Sequence, residues 1–282
     1  SQRILSKHHA HHFIDPHTQL NVSFGVVRVA NIASCIELTK FLLEKEWPQE
    51  TEVRVMTYHS QQVLLLRSVQ EKHLDQVLKR KEKAGELPLA LNNHVIREHL
   101  HTIKTSSSTK QHVIFILVAT PVEEVGRDHD FDWAVVEPSS YRSIIQLAGR
   151  VKRHRSGEVN QTNVSLLQYN WKGIRDHHDE NARVFKQPGF EDLICLKNHD
   201  LNHLVDVSAL AQRLDAIPRI QLPDHLKANY LRSLRECSSL AELEHAATWN
   251  WIANFTTKPE LGAQVGPQTM PGSAPAAARA DS

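Results

Sequence analysis

Two short segments place side chains able to handle phosphate at fixed spacings. In the first, Thr120, Gly126 and Asp128 stand as T-x5-G-x-D directly after Val113–Ala119, the most apolar run of the chain. In the second, Gln146, Gly149, Arg150 and Arg153 stand as Q-x-x-G-R-x-x-R at the close of a helical pattern. A threonine hydroxyl beside backbone N–H groups can bind a nucleic-acid phosphate. Gly126 allows a turn that a Cβ would obstruct, after which Asp128 can accept hydrogen bonds from a ribose hydroxyl. Arg150 and Arg153, three apart, are read as sharing a helix face and presenting two guanidinium forks to a γ-phosphate. Arginines in that role add roughly 10³–10⁵ to phosphoryl-transfer rates by stabilising transition-state charge. Gln146, one turn earlier, can orient the attacking water. Gly126, Asp128 and Gly149 are the ATP-contacting candidates.

The surrounding pattern supplies elements that could hold these groups at one edge. Apolar runs predict strands at Phe24–Ala30, Val53–Met56, Val113–Ala119, Trp133–Val136 and Val164–Tyr169. Helical patterns lie between them at Ser34–Glu46, Gln61–Lys79, Leu89–Ile103 and Tyr141–Arg150. In the second of these, Val63, Leu66, Val69, Leu74 and Val77 are assigned to one apolar face. Alternating strands and helices predict an α/β fold with a doubly wound parallel sheet. Ligands of such sheets gather at the carboxyl ends of the strands, where Thr120 falls. Asn31 and the pair His59-Ser60 fall at two further strand ends, as nucleic-acid contacts or as helix caps. Arg127 is open between a DNA contact and an ion pair with Glu123. The expected organisation is an irregular linker over 1–20, the α/β domain over 21–170, a small helical appendage over 171–255 and a disordered tail over 256–282.

Composition narrows the function classes. With 282 residues and 40% hydrophobic content the chain can bury a sizeable core. The 33 basic and 32 acidic residues nearly cancel, so any nucleic-acid contact depends on local donors. Cys35, Cys195 and Cys237 are widely spaced, which argues against a disulfide framework or a thiolate zinc site and for a reducing, cytoplasmic setting. No apolar run approaches the roughly 18 residues of a membrane span. The 19 histidines, clustered at His8–His12 and His177-His178, are read as chance neighbours on loops, and no metal is expected. Ser1 is the first residue and Met56 falls inside a strand, so the chain reads as a piece of something longer.

The two opening segments resemble motifs V and VI of superfamily 2 helicases. The stretch VATPVEEVGRDHDFDWAVVEPSSYRSIIQLAGRVKRHR, Val118–Arg155, resembles the CRISPR-associated helicase-nuclease of type I systems, its EVGRDHDFDWAVVEPSS wording that of subtype I-F. VSFGVVRVANIA at Val22–Ala33 and DVSALAQRLDAIPRI at Asp206–Ile220 are similar to other parts of that family, so the likeness covers roughly 13–250. The resemblance implies a second RecA-like motor domain working in antiviral defence. It implies ATP with Mg, held mainly by a first motor domain. The implied partners are that first RecA-like domain, a metal nuclease domain, single-stranded DNA and a guide-RNA surveillance complex.

Other parts of such a machine are not in this sequence. None of the ten glycines is followed by Lys-Ser or Lys-Thr, so there is no G-x-x-x-x-G-K-[ST] loop. Asp179-Glu180-Asn181-Ala182 follows the second motif and reads as a solvated turn. The chain alone is therefore expected to hydrolyse no ATP. The alternative reading is a nucleic-acid or protein-binding module left by a truncated or split gene.

Overall fold

The computed structural model describes residues 1–83, 85–106, 109–155, 158–192, 195–221 and 237–256; the expected tail, from 257 on, lies outside them. The elements that position the candidate site are α1 (Gln2–His11), β1 (Phe13–Ile14), β2 (Asn21–Arg28), α2 (Ile32–Glu44), β3 (Thr51–Tyr58), α3 (Leu64–Leu78), α4 (His94–Ser106), β4 (His112–Ala119), β5 (Trp133–Val136), α5 (Tyr141–Ala148) and β6 (Val164–Leu166). They form a six-stranded sheet in the order β3-β4-β2-β5-β6, with the short β1 beside the start of β2. Every pairing along that order is parallel, and only β1 runs antiparallel. The doubly wound α/β fold expected from the strand–helix alternation is therefore present.

Register brings the strand ends level. Tyr58 and Arg28 both lie opposite Ala119, Arg28 lies opposite Val136, and Val136 opposite Leu166. Five chains thus leave the sheet along one line. The ladder continues one step past it, with Thr120 N–H donating to the Tyr58 carbonyl and Glu137 N–H to that of Arg28.

Each sheet face has its own core. On one side Leu74, Val77 and Leu78 of α3 and Ile96, Leu100 and Ile103 of α4 cover Phe24, Val26, Val113 and Leu117. On the other, Ile4 of α1 and Cys35 and Leu42 of α2 cover Val27, Ile114, Ile116 and Trp133. A third cluster joins Tyr141 and Ile144 of α5 to Phe185, Leu196, Leu201 and Leu243. It anchors the helical segments near Leu201 and Leu243 to α5. The chain divides into two units, Ser1–Ala247 and Thr248–Ser282.

Three expectations require correction. Residues 1–20 are not an irregular linker: α1 occupies half of them and buries Ile4, Lys7 and His8. Helix α3 begins at Leu64, not Gln61, and its apolar face splits. Leu74 and Val77 are buried, while Val63, Leu66 and Val69 stay exposed. For Leu66 and Val69 the physical reason is an open apolar cavity of about 670 Å³ between α3, α4 and the β3–β4 face, which they line with Val55 and Phe115. The first turns of α3 flank this space instead of closing on the sheet. Finally, α5 stops at Ala148, which changes the geometry of the second motif.

Gly25 shows how tightly β2 packs on β5. A Cβ built there would sit 2.1 Å from the Trp133 ring, and that indole is fully buried. Gly25→Ala is therefore expected to destabilise the domain by about 3 kcal/mol or more, at the upper end of overpacking costs. Chemical denaturation measures this, and an unchanged midpoint would contradict the packing described.

Candidate functional site

The strand-end line carries Asn31, His59 and Thr120 to one edge of the sheet. Asn31 takes the N-cap position of α2 but makes no side-chain cap bond. His59 is buried with Nδ1 unpartnered among the described residues, and Ser60 is exposed. Ser60 cannot cap α3, because that helix starts four residues later with Val63 at its N-cap. Thr120 is buried and opens a 3₁₀ turn, Pro121–Glu124. Its N–H is already spent on Tyr58, so only the hydroxyl, not the adjoining N–H, remains for a phosphate.

Past that turn, Gly126 adopts φ +69°. No atom lies within 4 Å of a Cβ built there. The glycine is needed for its left-handed backbone and not for lack of room. Asp128 follows and meets the His154 ring Nε2 at 2.7 Å and two cations, Arg153 at 3.5 Å and Lys81 at 3.8 Å. The His154 hydrogen bond, ahead of opposing desolvation, holds the Asp128 carboxyl below its usual range.

The second motif meets the first here. Helix α5 starts at Ser140, whose Oγ accepts the Ser143 N–H, and Gly149 caps its end. Gln146 is half-buried on that helix. Arg150–Arg153 lie beyond it: Val151 bridges to Phe131 and Lys152 turns with φ +50°. The two arginines therefore do not share a helix face, because the helix ends before either. Arg150 is buried and points into the first motif's loop. Its Nη2 donates to the Glu124 carbonyl at 2.8 Å and its Nη1 to the Arg127 carbonyl. Its Nε is buried without a partner among the described residues, and desolvation lowers its pKa. Arg150 is thus not a finger displayed to solvent, as expected from the sequence, whereas Arg153 is 40% exposed.

Several groups that sequence reading passed over hold this loop. Arg28, fully buried at the end of β2, pairs with Glu124 at 2.6 Å and donates to the Glu137 carbonyl and to Ser139 and Ser143. It ties the turn after β4 to the first turn of α5. Arg155 grips Asp130 at 2.8 Å and shares Asp132 with Arg80, at 2.6 and 2.7 Å. Burial alone would raise the Asp132 pKa, but Arg80 and Arg155 outweigh it and lower it. His129 spans Glu123 at 2.6 Å and Asp75 at 3.2 Å. Arg127 pairs with Glu71 at 2.5 Å, not with Glu123. Tyr58 and Arg67 bond the same Glu71 oxygen at 2.7 and 2.9 Å. The Tyr58 hydrogen bond, with those of both arginines, lowers Glu71 to about 2 despite partial desolvation. One signal for these struts was present in the sequence: a lone cation, Arg28, inside an apolar strand.

The arrangement is a loop and a helix exit from separate strand–helix units, interlocked beside the parallel sheet around a partly exposed carboxylate–guanidinium pair. Known proteins similar in sequence indicate the family. The sequence model described as CRISPR-associated nuclease/helicase Cas3, C-terminal, matches residues 21–156. A Cas3 of subtype I-F/YPEST from Pseudomonas aeruginosa is 42% identical over 239 residues, 84% of this chain and 20% of that protein. Its counterpart from Pectobacterium atrosepticum is 37% identical over 257 residues, 90% of this chain and 21% of that protein. A solved structure titled "Crystal structure of T. fusca Cas3-ATP" aligns over 52% of this chain and 15% of that one, at 13% identity and a TM-score of 0.35. The chain belongs to the Cas3 family as a C-terminal segment, and it spans about a fifth of the length of the curated relatives it matches.

Two outcomes test the struts. Arg28→Met should cost about 3–5 kcal/mol, because it strands the buried Glu124 charge. Arg28→Met with Glu124→Met should cost less than the two single changes together. Glu71 has a depressed folded pKa, so its stabilisation is complete above its unfolded value and fades with acid. Stability should fall as pH drops from 4.5 toward 2, and Glu71→Gln should flatten that fall in urea titrations. Parallel pH profiles for wild type and Glu71→Gln would count against the cluster.

Proposed function

We propose that this chain is the second motor domain of an ATP-dependent DNA helicase-nuclease of CRISPR antiviral defence, with residues 21–170 as its RecA-like unit. The reading rests on one observation: Arg153, 40% exposed, stands beside Asp128 where the loop after β4 meets the segment that follows α5. In this reading the γ-phosphate of an Mg-bound ATP, gripped mainly by a first motor domain, is met by Arg153. Gln146 orients the attacking water, and Gly126, Asp128 and Gly149 shape the nucleotide side of the cleft. Arg150 acts as a positioning residue that fixes the loop by its carbonyls. Thr120, with His59, Ser60 and Asn31 along the same edge, contacts the phosphates of single-stranded DNA. The further partners are the nuclease domain and a guide-RNA surveillance complex, in the cytoplasm.

By itself the chain should show no ATP hydrolysis, since it supplies only one wall of the site. In a longer chain that also carries a G-x-x-x-x-G-K-[ST] domain, Arg153→Ala should lower the DNA-stimulated ATPase rate by about 10³-fold or more, with nucleotide binding largely kept. A variant that turns over ATP at the wild-type rate would sink this reading.

A further inference from the structure

The opposite edge of the sheet holds a cluster that the motor reading does not use. His8 and His9 sit on α1, and His12 is the cap residue that follows it. His112, a hundred residues later, is the first residue of β4. Folding brings the four rings together: His112 lies 5.1 Å from His8, 4.9 Å from His9 and 6.2 Å from His12, centroid to centroid. The histidine run is therefore helical and packed, not a chance neighbourhood on a loop. His8 is fully buried, His112 partly so and His9 exposed, and one nitrogen from each lies within 4.8 Å of the other two.

We propose that His8, His9 and His112 bind a divalent transition metal of the zinc class, clamping α1 onto the start of β4. Zinc takes imidazole nitrogens at about 2.0–2.1 Å in tetrahedral sites, which puts ligand atoms about 3.4 Å apart. His8 Nε2 and His112 Nδ1 already stand 3.0 Å apart. His9 is on the surface and free to swing the remaining distance, leaving the fourth position to water. Metal-bound histidines are oriented by a hydrogen bond at their other nitrogen, and His8 has one. Its Nδ1 lies 2.7 Å from Ser23 Oγ, which in turn accepts the Trp133 indole N–H at 3.0 Å. That hydroxyl still has a lone pair for His8 Nδ1–H, the tautomer that leaves Nε2 free to ligate. Imidazole donors without thiolate suit zinc, nickel, cobalt or copper ions and not magnesium or calcium.

The cluster lies at the amino end of β4, about 26 Å along the strand direction from Thr120 at 3.3 Å per residue. Its role is that of a structural clip, separate from the phosphate-handling edge. The test is to strip the chain with chelator, titrate it with Zn²⁺ alone, and follow binding by a competing chelating dye and by melting temperature. Cobalt substitution then reports coordination through its visible absorption. The expected result is one tight equivalent with a raised melting temperature and a tetrahedral cobalt spectrum. His9→Ala, which removes a surface ring and should leave the metal-free melting temperature unchanged, and His112→Ala should each weaken that site about 100-fold or more. His177→Ala with His178→Ala, a pair elsewhere on the surface, should leave it intact. No tight equivalent in the wild type, or wild-type affinity in His9→Ala or His112→Ala, overturns the proposal, and neither outcome bears on the motor reading.

Discussion

A fully buried guanidinium at the end of a central strand dictates much of what surrounds it. Arg28 has no access to solvent, and an isolated charge in that position would cost several kcal/mol even after relaxation. The fold meets the cost by gathering acceptors from three chain segments: the Glu124 carboxylate after β4, the Glu137 carbonyl after β5, and the Ser139 and Ser143 hydroxyls around the start of α5. Those segments must converge for β2 to be buried at all. Glu137 extends the arrangement, since its carboxylate accepts the Ala30 and Trp171 N–H groups at 2.5 and 2.6 Å. The approach of the loop after β4 to the start of α5 is thus a by-product of satisfying one internal charge.

The loop between Glu124 and Asp132 is held at its ends and left open in the middle. Arg28 fixes one end through Glu124. At the other end Asp132 accepts the Phe24 N–H at 2.7 Å while Arg80 and Arg155 share its second oxygen. Between them Gly126 takes a left-handed turn and Asp128 reaches solvent. Rigid anchors with an accessible centre are what a ligand-reading loop requires, because ordering costs are met in folding and not on binding. His129, buried between Glu123 and Asp75, adds a second inward anchor next to the exposed carboxylate.

The strands were legible because unbroken apolar runs have few alternatives to a sheet covered on both faces, and Val113–Ala119 marks the central strand β4 on that ground. The place of Thr120 was legible for a related reason: position after such a strand implies the carboxyl edge. Helix ends were less so. A reading that continued α5 through Arg150 missed that Gly149 caps it and that Val151 pairs with Phe131, a contact set by residues far apart in sequence. Helix α1 escaped notice because its amphipathicity depends on buried His8 and Lys7, residue types that usually signal surface. The partners of Arg28, Arg80 and Arg155 were invisible, since ion pairs across 23 to 96 residues leave no local pattern.

The division of labour between Arg150 and Arg153 follows from what each one touches. Arg28, Arg80, Arg127 and Arg155 all face carboxylates in direct contact, so their charges are largely cancelled where they stand. Arg150 bonds instead to the carbonyl oxygens of Glu124 and Arg127. Carbonyl dipoles solvate a cation without neutralising it. Its field therefore persists at the loop, strengthened by partial removal from water, while its geometry is locked. Arg153 has the complementary properties, an exposed side chain free to move and a contact to Asp128 at 3.5 Å that is long for a charge-assisted bond. Arg150 is thus fixed and buried, while Arg153 is exposed and held by one long contact. An approaching anion can draw Arg153 from Asp128 without unfolding anything, whereas moving Arg150 would dismantle the loop itself.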